Sequence, residues 1–113
     1  MNRNKLIDLL ISNLSNAILH DILEKAVSIP EIAEKYHKEI KNSWQIAQEY
    51  RKKINPQDSH FSERDTEEIR EKIIKNVRTE LLLRISKGYT NIPLNLVEEF
   101  VDKALKELNV TNP

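Results

Sequence analysis

"LIDLLISNLSNAILHDILEKAV", residues 6–27, decides how the chain is read. Leu6, Ile7, Leu10, Ile11, Leu14, Ala17 and Ile18 recur at helical spacing and fall on one side. Beyond Ile18 the pattern turns: Leu19, Ile22, Leu23 and Ala26 centre on a face well over 90° away. Neither Gly nor Pro marks a break at His20-Asp21. The stretch therefore predicts one helix, from about 4 to 27, whose two halves are buried against different neighbours.

Downstream, "SIPE" opens a second helix. Ser28 suits a cap, Pro30 the first turn, and Glu31 completes a capping box. That helix is expected over 29–54, with Ile32, Tyr36, Ile40, Ala47 and Ile54 as its stripe. Trp44, Ile46 and Tyr50 flank it. "NPQDSHFS", residues 55–62, reads as a loop. A third helix, 63–87, starts from Ser62 or Asp65 as cap. Its acids are crowded at the start and its bases at the end, an order that suits the helix dipole. Ile69, Ile73, Ile74, Val77, Leu81 and Ile85 form its stripe, and the single glycine, Gly88, fits a left-handed C-terminal cap. A fourth helix over 94–108 would bury Val97, Phe100, Val101, Ala104, Leu105 and Leu108. The expected architecture is a single all-α domain spanning 1–113, a four-to-five-helix bundle with antiparallel or oblique neighbours, oligomeric through its apolar surplus.

Composition supports that class. The chain has 113 residues, 39% hydrophobic and 32% charged, with 18 basic residues against 18 acidic ones. One glycine and four prolines are too few for the turns of an all-β fold. The absence of cysteine excludes a disulfide framework, a thiolate metal site and a cysteine nucleophile, and it fits the cytoplasm. No small-residue cleavage site follows the N-terminal helix. No uninterrupted run approaches the roughly 18 apolar residues of a membrane span, so no membrane role is expected. A net charge of zero removes any general attraction to nucleic acid and leaves only local patches.

A domain this small hides only about 60–70% of the surface of its unfolded chain. "LLL", residues 81–83, points three ways around its helix. A helix end that is apolar on every side is either enclosed or offered to a partner. Leu6, Leu10, Leu14, Leu19, Leu23, Leu81, Leu82 and Leu83 are therefore the candidate interface, facing a second copy or another helical protein.

Other classes of chemistry have their own residues. Residues 28–54 have a helix-turn-helix cadence, with His37 at the turn position. Arg51, Lys52, Lys53, Arg78, Arg84 and Lys87 are the cations placed to touch phosphates if nucleic acid is a partner. Glu34 and His37 form a single Glu-x-x-His pair, half of what a di-iron bundle uses. Glu67, Glu68 and Glu71, followed by Glu99 and Asp102, resemble the EExxE…ExxD signature of MazG-like nucleoside triphosphate pyrophosphohydrolases. That resemblance implies a magnesium site built from Glu68, Glu71, Glu99 and Asp102; otherwise no cofactor is expected. His20, His37 and His60 are far apart, and no nucleophile–base set can be assembled from them.

"RTELLLRISKGYTNIPLNLVEEF", residues 78–100, carries a second likeness. Arg78, Leu82, Arg84, Ile85, Pro93, Glu98 and Glu99 resemble the helical domain of GINS subunits of DNA replication. The resemblance implies a non-catalytic subunit that packs helix on helix in a hetero-oligomer beside a helicase. Taken with the apolar surplus, the expectation is an assembly module rather than an enzyme, with a DNA-binding protein and a pyrophosphohydrolase as the alternatives.

Overall fold

The computed structural model describes residues 2–54 and 61–111; residues 55–60 of the expected loop lie outside that range. Four α-helices account for the fold, with no strand among the described residues. They are α1 (Arg3–Ala26), α2 (Pro30–Ile54), α3 (Glu63–Ser86) and α4 (Val97–Glu107). A short 3₁₀ turn, Leu94–Leu96, leads into α4.

Local chemistry fixes the ends. The Asn2 side chain accepts from the Lys5 amide at 2.8 Å and starts α1. Pro30 is the first residue of α2, where its missing N–H costs nothing, and the Ala33 amide donates to the Ile29 carbonyl at 3.0 Å. Ser62, not Asp65, caps α3 by accepting from the Asp65 amide at 3.1 Å. At the end of α3, Gly88 adopts φ +100°. The Tyr89 amide reaches the Arg84 carbonyl at 3.1 Å and the Gly88 amide reaches Ile85 at 3.0 Å. This is a Schellman ending, and the positive φ requires glycine. α4 ends the same way with Asn109 at φ 60°: Val110 donates to the Leu105 carbonyl at 2.9 Å and Asn109 to Lys106 at 3.0 Å. That second stop brings Val110 into the core, beyond the last residue the stripe suggested.

Cross-helix contacts set the directions. Asn16 donates to Ser43 Oγ at 2.7 Å and His20 Nε2 lies 2.8 Å from Glu39 Oε2, so α2 runs antiparallel to α1. Arg3 meets Asp65 at 2.7 Å and Asn76 meets Ser15 at 3.4 Å, so α3 runs parallel to α1. Arg70 meets Asp102 and Arg78 meets Glu98, so α4 returns antiparallel to α3. α1 contacts all three other helices. Its expected double face is accounted for within the chain: Leu10, Leu14, Ile22 and Leu23 are fully buried, with Ile69, Ile73, Val77 and Leu81 of α3 and Val97, Val101 and Leu105 of α4. α2 lies outermost, since only Ser43, Ala47 and Arg51 are buried along it.

By length and composition α1 is also apolar enough to cross a membrane, a correction to the expectation that no stretch comes near. In this fold 56% of that window is buried inside the bundle.

Candidate functional site

The eight candidate interface leucines divide sharply. Leu6, Leu10, Leu14, Leu19, Leu23 and Leu81 are buried in the chain's own core. This corrects the expectation that α1 offers a surface: α2, α3 and α4 between them cover both of its faces. Leu82 and Leu83 stay outside, 54% and 47% exposed.

They are not isolated. The large hydrophobic residues left exposed among the described residues are Ile29, Ile32, Leu82, Leu83, Ile85 and Tyr89. All of them lie where α2 begins or α3 ends. Because α3 runs parallel to α1 and α2 antiparallel, these two places share one end of the bundle. Tyr36, one turn beyond Ile32, lies close enough to Tyr89 for the two phenols to interact. Burial, followed by the neighbouring Tyr89, raises the Tyr36 phenol above its ordinary value. The Tyr36 ring also packs on His20, with centroids 5.5 Å apart. Behind the patch, Ser86 Oγ donates to the Leu83 carbonyl at 2.6 Å and Arg84 pairs with Glu80 at 3.0 Å, which stiffens the last turn of α3. Leu82 and Leu83 were legible as a surplus from the sequence. Ile29 and Ile32 were not, because Ile32 sits in the regular apolar stripe of α2 and reads as a core position.

The candidate cations do not form a patch. Arg51 is 4% exposed. Its guanidinium stacks over Phe61 at 4.6 Å and donates to the Asn109 carbonyl at 3.0 Å, so it is a structural tie and not a phosphate contact. Burial lowers its pKa from the usual arginine value. Lys52 and Lys53 are exposed at the end of α2, whereas Arg84 and Lys87 sit at the opposite end of a molecule 41 Å long. Arg78 faces Glu98 at 3.8 Å. The helix-turn-helix cadence is not realised either, since Pro30–Ile54 is continuous through His37. An unbroken α-helix has no second helix to set into a groove.

The acidic motif converges on a cation that the chain itself supplies. Arg70 Nε lies 2.7 Å from Asp102 Oδ1, and its other nitrogens lie 3.4 Å from Glu71 and 4.0 Å from Glu98. The Asp102 hydrogen bond raises the Arg70 pKa. Glu68 pairs with Lys72 at 3.3 Å, while Glu67 and Glu99 are exposed. No group of three or more His, Asp or Glu side chains is arranged to hold a metal ion among the described residues. The Glu34–His37 pair is likewise split: Glu34 faces Lys38 at 3.9 Å and His37 faces Glu24 at 4.0 Å.

One feature escaped the sequence reading. A cleft of about 410 Å³ runs between α1 and α3, lined by Ser12, Asn13, Asn16, His20, Asn76 and Glu80 among others. Its signal was the "SN-SN" run inside an otherwise apolar helix.

Comparison with protein-family models, with curated proteins and with solved structures returns no match for this chain.

At the far end of the bundle the Arg3–Asp65 pair gives a pH-dependent test. The Arg3 hydrogen bond holds the Asp65 carboxyl below its usual 3.8. A depressed carboxylate contributes stability above its unfolded value, and that contribution is lost as pH falls through the folded value. Arg3 is about half exposed, so the contribution is on the order of 0.2–1 kcal/mol. Arg3→Ala is expected to lower the melting temperature slightly at neutral pH and to match the parent below the folded Asp65 value. An equal deficit at both pH values would mean that the pair is not its cause.

Proposed function

We propose that this chain is a non-catalytic, cytoplasmic assembly module that acts through the end of its bundle where α2 begins and α3 stops. A single observation carries this reading: the large hydrophobic residues left exposed gather there and nowhere else among the described residues. Scattered surface leucines need no explanation, but a localised apolar end does. Each leucine side chain taken out of water is worth roughly 1.5–3 kcal/mol when fully buried, so a few suffice to hold a complex. The likeness of residues 78–100 to GINS helical domains supports the same class, since Leu82 and Leu83 lie inside that segment; it would make the partner another subunit of a replication complex.

A photoreactive side chain at position 83 tests this in the expressing cell, with the same probe at Glu63, at the opposite end of α3, as control. Adducts from position 83 and none from position 63 are expected. Equal yields from both positions, or none from either, would end the reading.

A further inference from the structure

Resting on that reading, we infer that the partner at this end is a second copy of the same chain. The two copies are related by a twofold axis, with the start of α2 in each against the end of α3 in the other. The apolar end has two lobes of opposite charge. Ile29 and Ile32 flank Glu31 along the chain; Leu83 precedes Lys87 by one helical turn. Neither Glu31 nor Lys87 has an ion-pair partner among the described residues, and Lys35, one turn from Glu31, does not pair with it. Each charge complements the dipole of its own helix, yet each also sits unpaired on the rim of an apolar surface.

An isologous contact matches residue i with residue j and residue j with residue i. A surface that is complementary to itself must therefore carry both halves, as this end does. The six hydrophobic residues are 38–54% exposed and gathered at one end, as the apolar centre of an interface requires, with Glu31 and Lys87 placed as its charged rim. With a net charge of zero, two copies meet no long-range repulsion.

Sedimentation equilibrium across the micromolar range decides between outcomes, with helicity and melting curves confirming that each variant is folded. The parent is expected to be a dimer. Glu31→Lys alone and Lys87→Glu alone each make two contacts repulsive and should weaken self-association by roughly tenfold. The double variant, Glu31→Lys with Lys87→Glu, should regain it, and an equimolar mixture of the single variants should form the mixed dimer. A monomeric parent overturns the inference, as does a dimer indifferent to the charge exchange. If the parent is monomeric while position 83 still cross-links to other proteins, the assembly reading survives and self-pairing falls. A dimer that persists in Leu82→Ser/Leu83→Ser sinks both.

Discussion

Leu14→Ala should remove about 2–5 kcal/mol of folding stability, a large part of the roughly 5–15 kcal/mol that holds a domain of this kind together. Leu14 is fully buried on α1, the helix that contacts each of the other three. Truncating it removes the transfer energy of the missing carbons and leaves a cavity. The walls of that cavity are held by several helices and cannot all collapse into it. Leu82→Ala deletes the same atoms from a side chain 54% exposed and should fall within about 0.5 kcal/mol of the parent when association is held fixed by dilution. Urea denaturation of the two variants side by side is the measurement. A loss below about 1 kcal/mol for Leu14→Ala would mean that α1 is not the centre of the core.

Arg51→Met should cost about 2–4 kcal/mol, although methionine is the better residue for an apolar site on composition alone. The guanidinium plane lies on Phe61 and donates to the Asn109 carbonyl. It thus joins the end of α2, the residue before the Ser62 cap of α3 and the Schellman turn after α4. A cation shielded from water makes both contacts stronger than they are at a surface. Arg51→Lys keeps the charge but loses the flat stack and the forked donors, so it should recover only part of the loss. A double-mutant cycle with Phe61→Leu should give a coupling of about 1–2 kcal/mol. A stabilised Arg51→Met would show instead that the desolvation of the ion outweighs its contacts, as it does for some buried charges.

Arg51 also shows where the sequence stops informing. In "EYRKKI" it stands with Lys52 and Lys53 as one of three cations ending a helix, and nothing local separates it from them. Its burial depends on Phe61 and Asn109, 10 and 58 positions away. Arg70 is a similar case. The spacing of Glu67, Glu68, Glu71, Glu99 and Asp102 suggested only a motif of carboxylates. Only the antiparallel pairing of α3 and α4 put a guanidinium between Asp102, Glu98 and Glu71.

The helices themselves were legible. Their stripes, the Ser62 cap, Pro30 and Gly88 act over three or four residues, within reach of local hydrogen bonding and side-chain periodicity. The turn of the apolar face after Ile18 already implied that α1 meets more than one neighbour. What periodicity cannot state is whether an apolar face is covered, because burial belongs to the surface that arrives from elsewhere in the chain. α1 reads as the greasiest surface and is hidden. Ile32 reads as an ordinary core position and lies open, 39% exposed at the start of α2. Local sequence determined which faces are apolar; the packing of distant helices decided which of those faces still meet water, because burial is set by surfaces that arrive from elsewhere in the chain.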